Sequence, residues 1–214
     1  TAPTSPGNTP SSVTGLYTYV YNTMVQLNWG CCLGDGTKGP FYQGAAHPVV
    51  AYRIEQSTDN GATWQFLFDR PAAWTWARIS ALRNGVTYQF RVSAINDLGV
   101  GVPTTISAVP STTPDSPTNM AVTTSVTANA ATATVTWAAP VTDGGSPVTG
   151  YRVRWCATAN CNPTTVLSDS LSPSTFSYVV SGLTTGTTYN ISVEAENENG
   201  FSPNQTQLPV FPVG

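Results

Sequence analysis

Charge is scarce in these 214 residues: 9% are Asp, Glu, Lys or Arg, and the net charge is −3. No basic run could neutralise a row of phosphates, which argues against nucleic acid as a partner. No apolar run approaches the roughly 20 residues of a membrane helix, so no membrane span is expected. The opening TAPTSPGNTPSS has neither the basic nor the apolar region of a secretion signal, so a secreted chain would stand here in mature or trimmed form. A 3.6-residue apolar period is missing, which removes amphipathic helices. Histidine occurs once, at His47. A metal site could add only Cys31, Cys32 or Asp35 to it, without the paired spacing of common zinc sites. The G-x-G-x-x-G pattern from Gly34 to Gly39 runs into Pro40-Phe41-Tyr42 and opens no helix, so it builds no pyrophosphate site. There is no G-x-S-x-G elbow. No catalytic, metal or cofactor-binding residue is expected, and the chain reads as non-enzymatic. Acidic residues such as Glu194, Glu196 and Glu198 read as a solvated strand face.

What the chain does have is a stretch used twice. Leu82 to Gly99, LRNGVTYQFRVSAINDLG, recurs 101 residues later as LTTGTTYNISVEAENENG, Leu183 to Gly200. Tyr88, Phe90, Val92 and Ala94 answer to Tyr189, Ile191, Val193 and Ala195. The period of two places each foursome on one face of a half-buried strand. A repeat of about 100 residues suits an independent domain. Around it, strand and turn signals follow at sandwich spacing: Val25, Leu27 and Trp29, then Tyr52 and Ile54, then an Asp59-Asn60-Gly61 turn before Trp64. Val135 with Trp137 and Tyr151 with Val153 repeat the plan. The expected fold is all-β: two antiparallel sandwiches of about seven strands each, lying end to end. Domain 1 covers 1–110, with an extended N-terminal arm and a long loop at 30–48. A Pro/Ser/Thr linker covers 111–117, and domain 2 covers 118–214.

Together, Trp137, the run GSPVTGYRV at 145–153, and L-x-x-x-x-x-Y-x-x-x-V-x-A-x-N-x-x-G resemble a fibronectin type III domain, in its bacterial or viral extracellular form. The first copy fits through Trp29, Tyr52, Leu82, Tyr88, Asn96 and Gly99. The resemblance implies an Ig-like sandwich whose core holds Trp29, Trp137, Tyr52, Tyr151, Leu82 and Leu183. It also implies that the hydroxyls of Tyr88 and Tyr189 are tied to backbone. No binding role follows from it, since neither copy carries Arg-Gly-Asp in the loop before its last strand.

Function in such sandwiches lies in loops and exposed faces, so the differences between copies carry the information. From Trp29 to Pro48 is 19 residues, against 10 from Trp137 to Pro147. The added length brings Cys31, Cys32, Phe41, Tyr42 and His47. Counting back from Leu82, Ile79, Ala77 and Thr75 point inward, so Trp76 and Trp74 point outward unless a bulge turns one of them in. The same count turns Val180, Tyr178 and Phe176 inward. Phe41, Tyr42, Trp74 and Trp76 are the candidate contact surface.

Cys156 and Cys161 flank a four-residue loop at disulfide spacing, which points to an oxidising, extracellular compartment. Cys31 and Cys32 could form a vicinal ring, stay free, or bond to another chain. Asn190-Ile191-Ser192 and Asn204-Gln205-Thr206 match the glycan acceptor pattern. Two functions are consistent with these residues. One is a structural or adhesive extracellular protein, a subunit of a surface assembly such as a filament, surface layer or virion appendage, with protein subunits as partners and self-assembly expected. The other is a carbohydrate-binding or spacer module of a secreted polysaccharide-degrading enzyme, with surface glycans as partners.

Overall fold

The computed structural model describes residues 9–30, 47–127, 130–158, 162–202, 206–210 and 212. The chain divides into two compact units, Thr1–Pro110 and Ser111–Gly214. All regular structure among the described residues is strand.

In unit 1 the strands are β1 (Thr14–Tyr21), β2 (Met24–Gly30), β3 (Ala51–Ser57), β4 (Gln65–Pro71), β5 (Trp76–Ile79), β6 (Tyr88–Asn96), the short β7 (Gly99–Val100) and β8 (Thr104–Ala108). Unit 2 repeats them as β9 (Thr118–Thr127), β10 (Ala130–Ala138), β11 (Gly150–Cys156), β12 (Thr165–Leu171), β13 (Ser177–Leu183), β14 (Tyr189–Asn197), β15 (Gly200–Phe201) and β16 (Thr206–Val210). Each unit has one three-stranded sheet, β1-β2-β5 or β9-β10-β13. Each also has one five-stranded sheet: β4-β3-β6-β7 with β8 on β6, or β12-β11-β14-β15 with β16 on β14. Every pairing is antiparallel.

The period of two explains the core. Val25, Leu27 and Trp29 of one sheet meet Tyr52, Ile54, Tyr88, Phe90, Val92 and Ala94 of the other. In unit 2, Ala131, Ala133, Val135 and Trp137 meet Tyr151, Val153, Tyr189, Ile191, Val193 and Ala195. Leu82 and Leu183 are buried below the corners that follow β5 and end β13. At each corner a backbone amide donates to the tyrosine hydroxyl: Arg83 N to Tyr88 Oη at 3.0 Å, and Thr184 N to Tyr189 Oη at 2.9 Å. The two core tryptophans meet their tyrosine neighbours edge-on, Trp29 on Tyr52 and Trp137 on Tyr151.

The described residues at the head of each unit lie against it. Pro10 and Val13 are buried, and the Pro10 carbonyl is so close to Gly101 that a Cβ there would stand 2.1 Å from it. Residues 111–117 are bound into unit 2. Thr112 N donates to Gly144 O, Asp115 N donates to Thr142 O, and Asn197 Nδ2 donates to the carbonyls of Thr112 and Asp143. Gly144 is at φ +76°, and a Cβ on it would come within 2.3 Å of Thr112 O, so no other residue fits.

The turn between β3 and β4 is organised by Asp59. Its carboxylate accepts from the Ser57 and Thr63 hydroxyls and from Thr63 N, and these bonds hold its pKa at about 2, below the usual 3.8. Because the folded value is the depressed one, its contribution to stability is complete above the ordinary aspartate range and is lost as pH falls toward 2. In acid titrations of unfolding free energy, the gap between the parent and Asp59→Asn is therefore constant above about pH 5 and closes towards pH 2. A gap unchanged down to pH 2 would remove the hydrogen-bonded carboxylate as its cause.

A candidate contact face on the first unit

The outer face of the β1-β2-β5 sheet differs most between the two units. In unit 1 the cross-strand register sets Tyr17 opposite Asn28 and Asn28 opposite Trp76. The next row is Tyr19, Gln26 and Arg78, and the third begins with Tyr21 and Met24. Since Val25, Leu27 and Trp29 point into the core, everything in these rows points out. Tyr17, Tyr19 and Tyr21 are 49%, 51% and 42% exposed. Trp74, just before β5, is 47% exposed, and Trp76 is half-buried. The bulge that would have turned a tryptophan inward is not formed: Trp76 pairs with Asn28 in continuous register.

Two arginines hold this surface. Arg70 of β4 lies 5.2 Å from the Trp74 ring centre and 4.7 Å from that of Trp76, and its Nε donates to the Trp76 carbonyl at 3.1 Å. Arg78 lies 5.7 Å from the Trp76 ring and donates through Nε to Gln26 Oε1 at 2.9 Å. Gln26 in turn donates to Asn28 Oδ1 at 3.0 Å. The Asn28 Nδ2 is buried with no hydrogen-bond partner among the described residues. Such cation–ring and amide contacts fix side chains that would otherwise rotate freely.

In unit 2 the corresponding rows are Ala121, Thr136 and Ser177, then Thr123, Thr134 and Val179. No aromatic ring stands on them. Phe176 does not follow the inward count either. It is 42% exposed and rests on Tyr151 at 5.8 Å, because β13 begins one residue later and the strand period does not bind it.

Two further expectations change. Glu194 does not face solvent: it is 4% exposed, paired with Arg152 at 2.5 Å and Arg154 at 3.2 Å, with Phe201 against Arg152. Asn190 is 5% exposed and Ser192 is fully buried, which closes the first glycan acceptor pattern to modification. His47 faces Asp97 at 2.8 Å. Cys31, Cys32, Phe41, Tyr42, Cys161 and Asn204 lie outside the described residues.

Sequence reasoning found Trp74 and Trp76 but missed Tyr17, Tyr19 and Tyr21. The signal was there, three tyrosines at a period of two. It was unread because a strand is recognised by a buried apolar face, and on that side this one offers Leu16, Thr18 and a Val20 that is itself 41% exposed.

Residues 115–211 match the family model of the fibronectin type III domain. Myomesin-2 from Homo sapiens is 29% identical over 188 residues, which is 82% of this chain and 12% of that protein. Fibronectin type-III domain-containing protein 3A from Homo sapiens is 29% identical over 180 residues, 84% of this chain and 13% of that protein. The chain thus spans only 12–13% of the length of these relatives. In fold, it is similar to the crystal structure of chicken CNTN1 FN1-FN3 domains, with TM-score 0.51 and 17% identity over 97% of this chain and 67% of that one. The family likeness lies over the second unit, and the repeated strand plan gives the first unit the same sandwich fold. No helix among the described residues is long and apolar enough to cross a membrane.

Proposed function

We propose that this chain is a non-catalytic adhesive module of an extracellular bacterial or viral surface protein, and that it works through the outer face of β1-β2-β5. The observation that carries this reading is the contrast between the copies. One core plan is used twice, yet one outer face bears five outward aromatic rings, two of them held by arginines, and the other bears threonine, serine, alanine and valine. Folding needs neither set of outer residues, so the aromatic set serves contact. An extracellular setting is supported by the spacing of Cys156 and Cys161, which we pair as a disulfide.

The test is retention of the purified chain on insoluble cell-surface material from its source. Tyr19→Ala with Trp74→Ala abolishes retention while the melting profile is preserved. Retention that survives both changes would overturn the role of the face. Light scattering without reductant separates this reading from a self-assembling subunit: an adhesive module runs as a monomer near 22.5 kDa, and a subunit joined through Cys31 or Cys32 runs as a multimer.

A further inference from the structure

Resting on the reading that this face is the contact surface, we propose that its ligand is an extended polysaccharide rich in uronic acid. The shape is the first argument. The face is the open side of a three-stranded sheet, so it can lie along a chain but cannot enclose a small molecule.

The chemistry of the rows is the second. A pyranose ring has a face of C–H groups and a rim of hydroxyls. Aromatic faces carry the negative part of a quadrupole and attract such C–H groups, while amides serve the rim. Here rings and amides alternate across the strands: Tyr17, Asn28 and Trp76 in one row, Tyr19 and Gln26 before Arg78 in the next. The buried Asn28 Nδ2, in the row between Tyr17 and Trp76, is a donor that lacks an acceptor among the described residues. Rings and arginines of this kind serve protein interfaces as well, and it is the amides set between the rings that turn the choice towards a hydroxyl-rimmed sugar.

Charge is the third argument, and it selects the sugar. Among the described residues Arg53, Arg91, Arg152 and Arg154 each sit on a carboxylate. Arg70 and Arg78 have no carboxylate partner among those residues. They stand on the aromatic face of a chain whose net charge is −3. With Nε of each already committed, the terminal nitrogens remain for an incoming group. A planar guanidinium matches a planar carboxylate with two parallel bonds, which a uronate offers at every residue.

The experiment uses the whole chain and two forms of one polymer, polygalacturonate and its fully methyl-esterified derivative, with dextran sulfate, single-stranded DNA and a neutral glucan alongside, in affinity electrophoresis. Polygalacturonate retards the parent chain and the methyl ester does so at least about tenfold less well. Trp74→Ala with Tyr19→Ala, and separately Arg78→Gln, each weaken retardation by about tenfold or more, and the Arg78→Gln variant is less sensitive to added salt. Circular dichroism confirms that the variants keep the parent fold. Equal binding to the ester, or stronger binding to dextran sulfate or DNA, overturns the proposal. Failure to bind polygalacturonate also overturns it. If retention on surface material still depends on Tyr19 and Trp74 in that case, the face remains an adhesive surface with a protein partner. If that dependence is missing too, both readings fall.

Discussion

Replacing Trp137 with alanine lowers the unfolding free energy of the second unit by about 3–5 kcal/mol. The indole is 5% exposed and stands between the sheets, edge-on to Tyr151 with ring centres 5.6 Å apart. Its strand otherwise offers Ala131, Ala133 and Val135 to the core, so the indole supplies most of the depth that this sheet contributes. Those neighbours are strand residues held by ladders on both sides and cannot move in to fill the space. The loss is one of packing, because Trp137 Nε1 is buried without a partner among the described residues and its removal leaves no acceptor stranded among them. A small domain has only about 5–15 kcal/mol to lose, so the second transition shifts to much lower denaturant with an unchanged slope. Urea unfolding of the full chain, followed by tryptophan fluorescence and circular dichroism, measures it. Trp137→Phe recovers much of the loss. A cost under about 1 kcal/mol for the alanine would mean that the sheets close over the site, contrary to the rigidity argued here.

How much of this was legible in the sequence depends on what each residue answers to. The Leu82 to Gly99 stretch and its copy were readable because a strand with one buried face repeats its apolar residues every second position, and both cores take their tyrosine, valine and alanine from that pattern. Trp74 and Trp76 were placed by the same count. Tyr17, Tyr19 and Tyr21 escaped because their strand carries its large rings on the outside, reversing the usual rule. The rows that join Tyr17 to Trp76 are long-range: β1 and β5 meet only through β2, and no local pattern predicts which residues share a face across three strands. The segment at 111–117 is a case of composition misleading. Proline, serine and threonine suggest a spacer, but backbone bonds to Thr142 and Gly144 and the Asn197 side chain bind it to the sandwich that follows.

The two units also show how one strand plan tolerates opposite charge arrangements. On the outer face of the five-stranded sheet, Glu55 of β3 pairs with Arg91 of β6, while in unit 2 the arginine is on the earlier strand and the glutamate on the later. Register, set by the inward tyrosine and valine residues, is preserved while the outward pair moves to the neighbouring outward row with its signs reversed. Outward positions are thus free to diverge once the inward set is fixed. The aromatic rows on the other sheet of unit 1 are a product of the same freedom.

Replacing Glu194 with alanine destabilises the second unit by about 3 kcal/mol, the low end for breaking a buried pair, since its partners are partly exposed. The glutamate side chain is 5% exposed, with Arg152 at 15% and Arg154 at 22%. Both guanidiniums depend on this one carboxylate, and β11 holds them at alternate positions of one face. Without it, two like charges remain side by side with little water to screen them. Phe201, packed against the Arg152 guanidinium, keeps that side chain from swinging out. Added salt restores little of the loss, since screening acts weakly on partly buried charges. Glu194→Gln keeps the shape and removes the charge, so it separates the two contributions: a cost close to that of alanine assigns the effect to charge, and a cost near zero assigns it to packing. If Glu194→Ala is neutral and the melting of unit 2 is unchanged, the cluster is open to solvent and the outward face of β14 is the solvated one that its alternating polar residues first implied.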